Sequence, residues 1–194
     1  MKFKIGFFAI MLILSLVLDH SLFSLAAFLA AFTHELGHLG MAMRCKIRFK
    51  ECKIGIYGAG LMPDSDLYSY KKEILLCLAG PLTNFICGAI SLLLLWNKHS
   101  EFLFGFTVAS ISLGTLNLLP ICDFDGGRIL KSLLCLRLSL DSANQILQCL
   151  SFCFVFLLWL LSVYFLLRAR SSLSLFVFSI SLFGKIFITA ESWK

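Results

Sequence analysis

Long apolar runs separated by short polar segments make up most of this chain. A bilayer's hydrocarbon core is crossed by about 20 residues of helix, so runs near this length are candidate transmembrane helices. Six such runs are present: 3–18, 22–43, 74–96, 102–119, 143–167 and 173–190. The pattern therefore predicts an all-α polytopic membrane protein with about six transmembrane helices.

The segment between the second and third runs, residues 44–72, follows a different pattern. It alternates apolar and polar positions and contains the glycine-rich stretch Ile54-Gly55-Ile56-Tyr57-Gly58-Ala59-Gly60. Alternation is typical of strands, and glycine is typical of turns. We expect a short β-like or re-entrant segment here and no helix.

The composition agrees with a membrane protein. Of the 194 residues, 59% are hydrophobic and 14% are charged, whereas about a quarter of the residues in soluble domains are charged. Six spans of about 20 residues would occupy most of the chain, so we expect one transmembrane domain, residues 1–194. The net charge of +6 comes from basic residues in short loops, where they act as topology signals, and this argues against a nucleic-acid partner.

Three ionisable residues interrupt the second run in the sequence His34-Glu35-Leu36-Gly37-His38. On a helix, positions i and i+4 share one face, so both histidines can bind one metal ion with Glu35 beside them. An ionisable side chain in the hydrocarbon core costs roughly 2.5 kcal/mol or more, which favours a functional role. The H-E-x-x-H pattern predicts a zinc hydrolase; the alternative is a polar seam between helices.

Two carboxylates follow the fourth run. Pro120 is expected to break the helix, and Asp123 and Asp125 precede the double glycine Gly126-Gly127, which we expect to be flexible. Catalytic zinc generally keeps three protein ligands and an open position for water, so two histidines and one aspartate would suffice. Glu35 would then take a proton from the water and pass it to a leaving amine. The alternative for both aspartates is an ordinary turn or helix cap.

The eight cysteines occur singly along the chain, and none forms a C-x-x-C pair. Cys45 and Cys52 lie near His38 in sequence and are conceivable zinc ligands. Cysteine ligation usually marks closed structural sites, so an aspartate is the better third ligand. We expect the cysteines to be free thiols or small apolar residues.

The basic residues predict the topology. With a cytoplasmic amino terminus, thirteen Lys and Arg residues fall in inside segments, against Lys98, Arg168 and Arg170 outside. This excess predicts that both termini face the cytoplasm. His34 and His38 then lie in the cytoplasmic half of the second span, so the site should open toward the cytoplasm.

Together, these motifs resemble the site-2 proteases, the intramembrane zinc metalloproteases of peptidase family M50. The similarity covers residues 34–128, about half of the chain. It rests on three separate elements, which are Phe32-Thr33-His34-Glu35-Leu36-Gly37-His38, Ala79-Gly80-Pro81-Leu82-Thr83-Asn84, and Asn117-Leu118-Leu119-Pro120 followed by Asp125-Gly126-Gly127.

The resemblance implies a role for each motif. It implies that His34, His38 and Asp125 bind one zinc ion (Zn2+) and that Glu35 is the catalytic base. It also implies that Asn84 lies near the active site, where it would bind the substrate backbone or the developing oxyanion. An interhelical hydrogen bond is the alternative for Asn84.

The substrate implied is a membrane-anchored protein cleaved within or beside the membrane, and a membrane-embedded regulator is a further implied partner. Within the family, the chain is most similar to the compact branch related to the stage IV sporulation protease, which implies a multi-pass protein of a bacterial cell membrane. Cys122 and Asp123 depart from the small or proline residues expected before Asp125. Two other functions stay open, namely a metal-binding or transport protein and a catalytically silent scaffold.

Overall fold

The computed structural model describes residues 3–4, 21–46, 49–55, 58–63, 69–122, 124–169, 179–180 and 182–183. Five helices have defined bounds within these residues: α1 (Leu22–Arg44), α2 (Tyr70–Asn97), α3 (Glu101–Asn117), α4 (Asp125–Cys135) and α5 (Leu140–Ala169). The three strands are β1 (Phe3–Lys4), β2 (Phe49–Gly55) and β3 (Gly58–Pro63). The chain divides into two compact units, Met1–Leu118 and Leu119–Lys194. The single domain expected over residues 1–194 stays a prediction.

Three helical segments are long and apolar enough to cross a membrane: Leu22–Arg44, Tyr70–Asn97 and Leu140–Tyr164. The protein is therefore an α-helical membrane protein. The expected spans 22–43, 74–96 and 143–167 correspond to α1, α2 and α5, and the expected span 102–119 corresponds to α3. Apart from β1, the expected span 3–18 lies outside the described residues, as does most of 173–190, so the count of six stays a prediction.

A small sheet accompanies the helices of the first unit. β2 pairs antiparallel with β3, with Cys52 opposite Leu61 and Gly55 opposite Gly58 at the closed end. β1 pairs parallel with β2, with Phe3 opposite Cys52. The segment for which the sequence predicts a short β-like or re-entrant structure thus contains β2 and β3.

Small residues let α1 pack closely against the other helices of its unit. The helix begins after Ser21, whose hydroxyl accepts a hydrogen bond from the Ser24 N–H at 3.2 Å. Its buried positions recur at every fourth residue, at Ala26, Ala30, His34, His38 and Ala42. Alanines on this stripe permit close helix packing, and the two histidines lie on the same buried face.

Glycines perform the same role on α2 and α3. A β-carbon at Gly105 of α3 would lie 3.5 Å from the Ala26 β-carbon, and one at Gly114 would lie 3.3 Å from the Pro81 carbonyl oxygen of α2. The hydroxyl of Ser91 on α2 donates to the Leu103 carbonyl oxygen of α3 at 3.1 Å. Close backbone approach and interhelical hydrogen bonds therefore hold α1, α2 and α3 together.

In the second unit, α5 fixes the turn that precedes α4. The Cys122 N–H donates to the Ser151 hydroxyl at 2.9 Å, and this hydroxyl donates to the Leu147 carbonyl oxygen at 2.7 Å. The Phe124 N–H donates to the Ile121 carbonyl oxygen at 2.9 Å, which closes the turn. Hydrogen bonds therefore fix Cys122 and Phe124 next to Ile121 and α5.

The double glycine is not the flexible link that the sequence suggested. Gly126 and Gly127 are buried in the first turn of α4, a helix that the apolar pattern did not predict. A β-carbon at Gly127 would lie 2.5 Å from the Ile121 carbonyl carbon, and it would approach the Ile121 carbonyl oxygen still more closely. Glycine is needed at position 127 because the backbone of the preceding turn packs directly against it.

Candidate active site

The two histidines of α1 form a close pair. His34 and His38 are only 5% and 8% exposed, and their Nε2 atoms lie 3.1 Å apart. Two ligands at tetrahedral zinc, each about 2.0–2.1 Å from the metal, are separated by about 3.3 Å. The spacing of the two Nε2 atoms thus fits two ligands of one zinc ion.

A backbone carbonyl orients His38. The Nδ1 atom of His38 lies 2.8 Å from the Leu76 carbonyl oxygen of α2. A carbonyl oxygen only accepts hydrogen bonds, so Nδ1 carries the proton and donates it. In the neutral ring, Nε2 then presents a lone pair. A metal-binding histidine usually donates its other ring N–H in this way, to a carbonyl or a carboxylate.

A side-chain amide contacts His34. The Asn84 Nδ2 atom lies 3.1 Å from His34 Nδ1, and the Asn84 Oδ1 atom lies 3.4 Å from the Thr33 hydroxyl oxygen. Asn84 is fully buried. The interhelical hydrogen bond that was one of the two sequence interpretations of Asn84 is therefore present, whereas contact with substrate stays a prediction.

Gly80 of α2 makes room for this pair. A β-carbon at Gly80 would lie 2.6 Å from Cε1 of His38 and 2.9 Å from Cε1 of His34, so only glycine leaves both rings in place.

The remaining predicted residues have different settings. Glu35 is half-buried on α1 between the two histidines in sequence. Asp125 is 7% exposed and is the first residue of α4, in the second unit. Asp123 lies outside the described residues. The first unit thus brings together His34, His38 and Asn84.

Sequence reasoning missed two supports of the site. No side-chain pattern signals that the Leu76 carbonyl oxygen binds His38. Gly80 belongs to a motif that was noted only for its resemblance to a family, and its role follows from packing against α1.

The donor set fits zinc, because both imidazoles place Nε2 toward a common point while their Nδ1 atoms are bonded elsewhere.

Comparison with known proteins identifies the family. The sequence profile described as Peptidase M50B-like matches residues 7–120, and the profile described as Peptidase family M50 matches residues 95–160. A zinc metalloprotease of Methanocaldococcus jannaschii is 29% identical over 132 residues, which are 61% of this chain and 37% of that protein. Stage IV sporulation protein FB of Bacillus subtilis is 29% identical over 176 residues, 88% of this chain and 60% of that protein.

The chain therefore spans less than two thirds of the length of either relative. A solved structure with a similar fold is the site-2 protease from Methanocaldococcus jannaschii, with a TM-score of 0.67 at 20% identity. This match covers 96% of the present chain and 91% of the other. Because the M50B-like profile alone covers more than half of the residues, and because the H-E-x-x-H histidines form a pair that fits zinc, the chain belongs to peptidase family M50.

Proposed function

We propose that this protein is a zinc-dependent intramembrane endopeptidase that hydrolyses peptide bonds in or near the transmembrane segments of membrane-anchored proteins. The observation that carries the proposal is the pair of facing Nε2 atoms of His34 and His38, 3.1 Å apart on an apolar helix that also carries Glu35. The names of two similar proteins, a zinc metalloprotease and a site-2 protease, support the same chemistry.

Each residue has a distinct task in this mechanism. His34 and His38 would hold the zinc ion through Nε2, and the bound ion would supply a Lewis acid that acidifies water and polarises the scissile carbonyl. Glu35 is the general base: it takes the proton from the attacking water and delivers it to the leaving amine.

We assign the third protein ligand to Asp125. Its position completes the N-x-x-P-x-x-x-x-D-G spacing that begins at Asn117. Asp125 is deeply buried as the first residue of α4, and a carboxylate oxygen is one of the ligands that zinc binds. Its place in the first turn of α4 favours the charged form, because the amino terminus of a helix carries partial positive charge. One zinc ion per chain follows from this ligand set.

The distribution of basic residues supports a cytoplasmic position for the site. Membership of the family supports the rest of the proposal, namely a bacterial cell membrane as the location, with a membrane-anchored substrate and a membrane-embedded regulator as partners. A metal transporter is the second candidate function. It requires His34 and His38 but gives Glu35 no task beyond its charge.

The deciding experiment compares wild-type protein with Glu35→Gln, and with Glu101→Gln as a control at an exposed carboxylate. Membrane proteomes of cells that produce each protein are searched for membrane proteins that accumulate with Glu35→Gln. The purified proteins are then assayed for cleavage of those candidates and for zinc content.

We expect Glu35→Gln to keep about one zinc ion and to lose cleavage by about 10²–10⁴-fold, whereas Glu101→Gln should match the wild type. Retained cleavage by Glu35→Gln would reject the assigned mechanism. Zinc flux across proteoliposomes, without cleavage of any candidate, would favour the transporter.

A further inference from the structure

Asn84 is a fully buried polar residue whose amide faces α1 at both ends. Its Nδ2 atom lies 3.1 Å from His34 Nδ1, and its Oδ1 atom lies 3.4 Å from the Thr33 hydroxyl oxygen. The Thr33 hydroxyl also donates to the Ala30 carbonyl oxygen at 3.0 Å. Both ends of the amide therefore have hydrogen-bonding partners inside the helix bundle, next to a proposed zinc ligand.

Hydrogen-bonding rules allow two arrangements at His34. If the Asn84 amide nitrogen donates to Nδ1, the proton of the neutral ring is on Nε2, and His34 Nε2 can donate across the 3.1 Å gap to His38 Nε2. If the amide oxygen faces Nδ1 instead, Nδ1 carries the proton and Nε2 presents a lone pair. Only the second arrangement lets His34 bind zinc through Nε2.

The surroundings of Asn84 accept both orientations of the amide. The oxygen and nitrogen ends have nearly the same shape, so a half-turn of the amide exchanges them without a change in packing. With the oxygen toward His34, the amide nitrogen faces the Thr33 hydroxyl oxygen, which can accept while it still donates to Ala30.

We infer that Asn84 is a positioning residue of the zinc site, whose amide oxygen accepts the Nδ1–H of His34 and thereby keeps Nε2 available to the metal. In this role Asn84 does for His34 what the Leu76 carbonyl oxygen does for His38. Asn84 then has no direct contact with the substrate. The inference rests on the proposed zinc site.

The test measures zinc affinity by competition with a chelator, with cobalt substitution and its visible spectrum as a second readout. Asn84→Leu removes both polar ends at similar volume, and Asn84→Asp keeps an acceptor for Nδ1–H. Ser91→Ala is the matched control, because it removes another buried interhelical hydrogen bond of α2, seven residues from Asn84.

We expect Asn84→Leu to weaken zinc binding by about 10–100-fold, the range typical for loss of an outer-shell partner, and to alter the cobalt spectrum. Asn84→Asp should stay within about tenfold of the wild type, and Ser91→Ala should bind zinc like the wild type. Equal zinc affinity in Asn84→Leu and Ser91→Ala would overturn the inference, as would equal weakening by the Leu and Asp substitutions.

A second measurement needs no change at Asn84. In zinc-loaded protein carrying His20→Gln and His99→Gln, two slowly exchanging ring N–H protons are expected by NMR, one each from His34 and His38. A single protected proton would overturn the assignment of Asn84. The wild-type zinc content separates this outcome from a failure of the proposed function, because a protein that binds no zinc would refute the zinc site itself.

Discussion

Gly80 of α2 lies directly against the imidazole ring of His38 on α1. A β-carbon at position 80 would lie 2.6 Å from Cε1 of that ring and 2.9 Å from Cε1 of His34. Any residue with a β-carbon at this position would therefore occupy space that the two rings fill. The position of two proposed metal ligands thus depends on a residue that has no functional group.

Gly80→Ala should impair the zinc site while the protein still folds. The added methyl group must displace one or both imidazoles, and a small displacement of a ligand is costly in metal affinity, so we expect a loss of zinc affinity of about 10–100-fold. Gly40→Ala is the control, because a β-carbon at Gly40 of α1 would meet nothing within 4 Å. Zinc retained after dialysis against a chelator would be measured; equal retention by both variants would contradict the role of Gly80.

The two aspartates after Pro120 should differ sharply. Asp125→Asn should lower zinc affinity by a large factor and abolish cleavage, because it weakens a proposed inner ligand. Asp123→Asn should retain zinc and most activity, because a second carboxylate ligand would displace the water that Glu35 activates. Metal analysis and a cleavage assay on both purified variants decide the matter. The reverse pattern would move the third ligand to Asp123 and leave the two histidines unaffected.

Gly127→Ala tests the turn before α4. A β-carbon there would lie 2.5 Å from the Ile121 carbonyl carbon, so the backbone must shift at a cost of about 1–3 kcal/mol, typical of overpacking. We expect a lower thermal unfolding midpoint and reduced zinc content, because the shift would move the start of α4 and with it Asp125. Unfolding would be followed in detergent, beside Gly40→Ala. A midpoint unchanged from that control would argue against close packing at position 127.

Ser151→Ala tests how α5 holds the same turn. The substitution removes the acceptor of the Cys122 N–H, and an unsatisfied donor costs about 1–3 kcal/mol when fully buried and less at the half-buried Cys122. Thr115→Val is a suitable comparison, since the Thr115 hydroxyl bonds the Ile111 carbonyl oxygen within its own helix. Ser151→Ala should lower the unfolding midpoint and Thr115→Val should change it little. Matching midpoints would mean that water replaces the lost hydroxyl.

Local features of the site were predictable from the sequence, and features that depend on tertiary packing were not. His34 and His38 are one helical turn apart, so their pairing requires only that the segment be helical. Asn84 is 50 positions from His34, and its contact depends on how α2 packs against α1. Its motif indicated proximity to the active site without indicating the partner.

The same distinction explains the fold. The apolar runs predicted α1, α2, α3 and α5. A long hydrophobic stretch in a membrane forms a helix because a helix satisfies all of its backbone hydrogen bonds internally. Gly126 and Gly127 suggested flexibility, but the backbone of Ile121 packs against Gly127 and the short helix α4 begins there. Tertiary contacts overrode the intrinsic preference of glycine in this case. An 11-residue amphipathic helix is also too short to produce a membrane-span signal.

The histidines share their stripe with Ala26, Ala30 and Ala42, so the surface that docks α1 also carries two of the proposed metal ligands. Slippage of α1 by a single residue would turn this stripe by about 100° and point both imidazoles away from Leu76 and Asn84. With the proposed ligand set, zinc stoichiometry is therefore an assay of helix docking: a preparation that holds one zinc ion per chain is expected to have α1 in its native rotation. Detergents and lipid mixtures can be ranked on that basis before any substrate has been found.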